Sequence, residues 1–80
     1  MWYLYIIYSD NIDRYYVGVT ENLKLRLERH NLGWGRYTKR GIPWVIVYSE
    51  NYLIKTDAFK REREIKKYKS RKYIEKLFNK

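Results

Sequence analysis

Five polar side chains stand where packing alone would not put them. Glu62 follows Ala58 by four residues and Phe59 by three, and precedes Ile65 by three, so on a helix it points with the apolar positions. A carboxylate there is costly unless it is paired or holds a cation, which leaves a salt bridge to a nearby Arg and a metal site as the two readings. Glu64 lies off this face among Lys and Arg, as a surface charge. Arg26 and His30 are four apart on a segment whose Leu23 and Leu27 form a core stripe, and both border that stripe. An Arg snorkelling along the core edge, with a His capping the helix end, is the plain account of that pair. Tyr5 points away from Leu4 and Ile6 on one strand, and Tyr16 away from Val17 on another. Gly18 shares the Tyr16 face, where the missing side chain lets a ligand or a backbone approach closely. Aromatic sheet packing would explain any one of the ten tyrosines taken alone.

The elements that must position these groups follow from patterning. Trp2 to Tyr8 is aromatic and β-branched and predicts a strand; Tyr15 to Thr20 predicts a second. The polar link Asp10-Asn11-Ile12-Asp13 is too short for a parallel crossover, so the two form an antiparallel hairpin. Asn22 caps a helix reaching about Asn31, and Gly33 stops it. Leu32 to Pro43 holds three of the four glycines and the one proline, and reads as a long loop. Trp44 to Tyr48 is a third strand, with Pro43 tolerated at its start. Thr56 caps a helix from Asp57 to about Tyr68. Ser70 caps a last one, with Tyr73, Ile74, Leu77 and Phe78 in a single stripe. The result is one α+β domain over residues 1–80, a small three-stranded, mostly antiparallel sheet flanked by helices in the order β-β-α-β-α-α.

Eighty residues bury a modest core, and fifteen aromatic side chains supply stiff apolar area for it. With no cysteine, disulfides and thiolate metal sites are excluded, which fits a reducing, cytoplasmic setting. The apolar start, Met1 to Tyr8, is too short to span a bilayer and lacks the basic leader and cleavage site of a signal peptide. A formal charge of +9 favours polyanionic partners. Ten Lys or Arg against three Glu lie between Lys60 and Lys80, and Arg36, Lys39 and Arg40 form a second cluster beside Trp34, Tyr37 and Trp44. Cations next to aromatics can meet both phosphates and bases. A solvated basic helix face is the plain alternative, and an anionic membrane surface is disfavoured by the few large apolar residues of the last helix.

Taken together these positions resemble the GIY-YIG nuclease family, whose two opening tripeptides appear as Tyr3-Leu4-Tyr5 and Tyr16-Val17-Gly18, with ten residues between Tyr5 and Tyr16. Arg26, in Leu25-Arg26-Leu27-Glu28-Arg29-His30, resembles the family's helix arginine. His30 resembles a histidine many members carry one turn later, and Glu62, in Lys60-Arg61-Glu62, the family's glutamate. Tyr3-Leu4-Tyr5 departs from the family name by lacking its Gly and Ile. The match spans nearly the whole chain. It is closest to small stand-alone members, which are similar to the N-terminal nuclease domain of the bacterial excision-repair nuclease subunit.

The resemblance implies metal-dependent endonuclease activity on DNA phosphodiesters, of low sequence specificity or structure-selective, in repair or recombination. Glu62 would be the sole protein ligand of Mg²⁺, with Mn²⁺ a substitute, and Arg26 would contact the scissile phosphate. Tyr5 would be the base, made competent by Arg26 and the metal, and Tyr16 would orient the water or Tyr5. His30 would bind phosphate or share the proton transfer. Arg36, Lys39, Arg40, Lys60, Arg61, Lys66, Lys67 and Lys69 would grip the DNA backbone, which positions nucleic acid without reading sequence. A specificity-giving partner protein would fit a chain with no room for a second domain. The rivals are a non-catalytic nucleic-acid-binding module on the same fold, and a protein-interaction or membrane-surface domain driven by the basic tail.

Overall fold

The structure, a computed structural model, describes residues 1–78. Its elements are β1 (Trp2–Ser9), β2 (Arg14–Thr20), α1 (Leu23–Asn31), a 3₁₀ turn (Thr38–Gly41), β3 (Trp44–Tyr52), α2 (Lys55–Tyr68) and α3 (Arg71–Phe78). The sheet runs β2-β1-β3 with both pairings antiparallel, so the order β-β-α-β-α-α and the α+β class hold as anticipated.

The central strand is buried on both faces. Leu4 and Ile6 pack with Val17, Val19, Ala58 and Ile65 beneath α2 and α3, whereas Tyr5, Ile7 and Trp44 pack with Leu23 and Leu27 beneath α1. That explains why β1 reads as a continuous apolar run instead of an alternating one. Leu4, Ile6 and Ile7 are completely buried, and truncating any of them to Ala would cost about 2–5 kcal/mol. A bulge in the β1–β3 ladder, between Ile6 and Ile7, leaves Val47 without a direct partner. Both Val47 and Tyr48 then pack on the α2–α3 side.

Local signals account for most boundaries. The Asn22 side chain accepts from the Leu25 amide at 3.0 Å and starts α1. Gly33, at φ +88°, ends it in a conformation that favours glycine. The Ser70 hydroxyl accepts from the Tyr73 amide at 3.2 Å at the start of α3. In that helix Tyr73, Ile74 and Leu77 face the core and Phe78 meets the Tyr15 ring. Three expectations need correction. α2 begins at Lys55 after Ile54, with no side-chain cap, so Thr56 lies inside its first turn. β3 continues past Tyr48 to Tyr52, because its ladder with β1 runs on to Trp2 opposite Tyr52. Phe59 is 38% exposed, so only Ala58 and Ile65 bring α2 fully into the core.

Candidate active site

β2 is an edge strand, and the candidate site lies on its Tyr16–Gly18 face. Tyr5 and Gly18 are direct cross-strand partners. The Tyr5 ring lies so close over Gly18 that a Cβ there would stand 2.5 Å from the phenol oxygen, so the glycine is what lets the ring reach across β2. Tyr5 is 1% exposed, and its hydroxyl is 2.9 Å from His30 Nε2. The other imidazole nitrogen, Nδ1, is 2.7 Å from Thr38 Oγ1. With the ring proton on Nδ1, Thr38 accepts it and Nε2 is left to accept from Tyr5.

Burial pushes the Tyr5 phenol up to about 12; Arg26 opposes the rise, while Tyr16 and Glu62 add to it. Arg26 therefore does not by itself make Tyr5 a base at neutral pH, because burial outweighs the guanidinium. Burial first and Arg26 second push His30 below its ordinary value, which keeps the imidazole neutral and able to accept a proton. His30 is thus a buried residue of the site and not an exposed helix cap.

Tyr16 sets its ring edge against His30, 5.3 Å between centroids, and stacks on Tyr37 at 6.2 Å. Tyr16, Arg26, Arg29, His30, Trp34 and Gly35 line a cleft of about 290 Å³. Exposed Trp34 lies at its rim, with the Arg29 guanidinium 4.7 Å from its ring centroid. On α2, the half-buried Glu62 carboxylate accepts from Lys66 Nζ at 2.8 Å, and the same ammonium stands 5.9 Å from the Tyr16 ring. Tyr5, Tyr16, Arg26, His30 and Glu62 thus share one neighbourhood. Among the described residues no group of three or more His, Cys, Asp or Glu could cage a metal ion.

Thr38 was not foreseen. It is buried because the 3₁₀ turn is tied from two sides. Trp44 Nε1 donates to the Thr38 carbonyl at 2.6 Å. The Asn31 side chain accepts from the Trp44 amide at 2.6 Å and donates to the Trp44 carbonyl at 3.1 Å. No spacing rule marks a threonine that meets a histidine eight residues earlier through a loop; its place in a glycine-rich segment was the one available hint.

Of the basic residues, Arg36, Lys39, Arg40, Lys60, Lys66, Lys67 and Lys69 are exposed. Arg61 differs. Its Nε donates to Glu50 at 3.0 Å and its Nη1 to Glu64 at 2.8 Å and to the Tyr73 hydroxyl at 3.1 Å, so its guanidinium is held inside the fold and is withdrawn from any backbone-gripping surface. No described helix is long and apolar enough to cross a membrane.

Comparison with known proteins bears on this geometry. A UPF0213 protein of Staphylococcus aureus (strain Mu3) is 43% identical over 60 residues, covering 74% of this chain and 73% of the relative. Another, from Staphylococcus haemolyticus, is 40% identical over 67 residues, covering 82% and 80%. No solved structure matches the chain. The family model of the GIY-YIG catalytic domain matches residues 1–75, and the chain therefore belongs to the GIY-YIG family of nuclease domains.

Proposed function

We propose that this domain is a metal-dependent endonuclease that hydrolyses DNA phosphodiester bonds with little sequence preference. The observation that carries the reading is the Tyr5 hydroxyl, hydrogen-bonded to a neutral His30 while lying within the fields of both Arg26 and Glu62. An acid, a cation and a proton-accepting chain around one buried phenol are hard to account for by packing.

The residues present fit Mg²⁺ or Mn²⁺. Glu62 offers hard carboxylate oxygens on a partly exposed side chain, and its partner Lys66, 52% exposed, can swing aside. A divalent cation bound there would neutralise charge on the phosphate and on the leaving oxygen. Arg26 holds the same phosphate and stabilises the charge that builds in the transition state. As water attacks phosphorus, its proton passes to the Tyr5 oxygen while the Tyr5 proton passes to His30 Nε2, so the phenol is never a free phenolate. Thr38, 2.7 Å from His30 Nδ1, can accept the ring proton there, and that tautomer leaves Nε2 free to take the proton from Tyr5. Tyr16, packed against His30, positions Tyr5 and the water. The P–O3′ bond breaks and the leaving oxygen takes a proton from solvent, giving a 5′-phosphate and a 3′-hydroxyl; His30 later returns its extra proton to solvent. Exposed Arg36, Lys39, Arg40, Lys60, Lys67 and Lys69 hold the backbone on either side. Roles in repair or recombination, and a partner protein that confers specificity, are compatible extensions.

The rival, a binding module without catalysis, is favoured by one observation: an ammonium, Lys66, already occupies the Glu62 carboxylate. Supercoiled plasmid and branched DNA incubated with and without Mg²⁺ or Mn²⁺ separate the two. Metal-dependent cutting, lost in Glu62→Ala and Arg26→Ala, is the expected result. Binding without cutting, unaltered in both variants, sinks the nuclease reading.

A further inference from the structure

Tyr16 borders two depressions. One is the His30 cleft; the other is a larger groove of about 530 Å³ between β2 and the corner joining α2 to α3. That volume falls in the range of roughly 300–1,000 Å³ usual for small-molecule sites. Ile74 and the Tyr15, Tyr16 and Tyr37 rings give the groove its accessible lining, over a floor of the buried Val17 and Ile65. Arg14, Lys66, Lys69 and Arg71 also line it. Arg71 is engaged by Asp13 at 2.6 Å and Glu75 at 3.1 Å, and Lys66 by Glu62. Among the described residues neither Arg14 nor Lys69 forms an ion pair; Arg14 Nη1 donates only to the Asp13 carbonyl at 3.3 Å, which leaves donors of both for an anion. Lys66 links the two depressions, touching Glu62 and lying over the Tyr16 ring.

Flat apolar and aromatic lining with free cations suits a base joined to a phosphate. A paired, stacked base cannot enter such a groove; an extrahelical or single-stranded one can. We propose that this groove is a subsite for one unstacked nucleotide of the cleaved strand, adjoining the scissile phosphate, with its base against Ile74 and the Tyr16 and Tyr37 rings and its phosphate on Arg14 and Lys69. The assignment rests on the nuclease reading, and it names the substrate class as nucleic acid carrying an unpaired nucleotide beside the cut.

The test uses two hairpin DNAs identical except for one extrahelical nucleotide, bound to methyl-labelled Glu62→Ala protein, or to wild type without divalent cation should that variant fold poorly. The methyl resonances of Val17, Ile65 and Ile74 shift with the extrahelical DNA and stay put with the paired one. Arg14→Gln combined with Lys69→Gln weakens binding to the extrahelical DNA by about ten-fold more than binding to the paired one. Equal affinity of wild type for the two DNAs, or silent groove methyls at saturation, overturns the proposal. Cleavage of the same hairpins by wild type with Mg²⁺ keeps the two readings apart. Cutting with silent methyls removes the groove and spares the nuclease; shifted methyls without cutting remove the nuclease, and with it the groove's place beside a scissile phosphate.

Discussion

On the α2–α3 face of the sheet, Arg61 makes three hydrogen bonds to Glu50, whose carboxylate also accepts from the Tyr48 and Tyr52 hydroxyls. On the α1 face, Tyr5, His30 and Thr38 form a chain of neutral groups with one cation, Arg26, beside it. The first cluster balances its charges. Burial works against the Glu50 carboxylate, yet Arg61 and the tyrosines hold it below the usual range, and Glu50 in turn raises Arg61. The second keeps both titratable members uncharged, the phenol pushed up and the imidazole down, with a proton between them. A network whose charges are all answered can only hold elements together. One that keeps neutral partners between a guanidinium, Arg26, and a carboxylate, Glu62, can move a proton and receive a phosphate.

The largest test of this contrast is Tyr5→Phe. Removing one hydroxyl should lower single-turnover cleavage by about 10²–10⁴-fold, the usual worth of a positioned proton carrier. The stranded His30 nitrogen should cost about 1–3 kcal/mol of stability, so cleavage is compared per folded molecule, and cutting within a few-fold of wild type would break the contrast outright. On the other face Glu50→Gln should do the reverse. The pair is 20% and 19% exposed, so solvent screening reduces the ~3–5 kcal/mol of a fully buried pair to about 1–3 kcal/mol. Denaturant unfolding should register that loss, while cleavage per folded molecule stays near wild type.

The pH dependence sharpens the comparison further. Because folding lowers the His30 pKa, the folded state stays unprotonated below the ordinary histidine value of 6.5. The unfolded chain binds the extra proton first, so this group's contribution to stability is present above that value and is lost as pH falls through it. Cleavage should likewise keep its rate down to pH 6.5 and decline only below. Because Tyr5 is raised from 10.0 to about 12, its contribution is complete below 10.0 and fades as pH climbs toward 12. A relay through His30 gives a rate plateau between these limits. A free-phenolate base would give a rate climbing tenfold per pH unit across the same span, and a pH–rate profile at saturating Mg²⁺ tells the two apart. The smallest effect is expected from Thr38→Val, which removes the acceptor for His30 Nδ1 at the cost of one hydrogen bond, about 1 kcal/mol, or several-fold in rate. The loss should appear in kcat with KM unchanged, and a matching shift of the acid limb would separate tautomer control from simple loosening.

Much of this arrangement was legible in the chain. The hairpin, the Asn22 cap, the Gly33 stop and the α3 stripe are local features whose causes lie within a few residues, and periodicity found them. Taken singly, Tyr5, Tyr16, Arg26, His30 and Glu62 each have a plain packing or surface account; their ordered resemblance to the GIY-YIG family is what singles them out as a set. Periodicity assigns a face but not a partner. Arg61 was therefore counted with the solvent-facing cations although Glu50, eleven residues away on β3, holds it. The competition between burial and Arg26 at Tyr5 also had to await the fold. Alternation gave that phenol a side of the sheet, but only the closing of α1 over it gave it a depth.

The side-chain amide of Asn31 clasps the Trp44 backbone in both directions, so the segment between them is a ring with fixed ends. Its outermost part, from Trp34 to Tyr37, is largely exposed, whereas Thr38 and Gly41 nearer the base are buried. Lengthening a flexible loop is inexpensive, about 0.6 kcal/mol for each doubling. Extra residues spliced in at Arg36 would hang outside the clasp, yet between Gly35, which lines the cleft, and Tyr37, which stacks on Tyr16. Added recognition elements would enter beside the site, so the length of this segment would tune target choice and chemistry together.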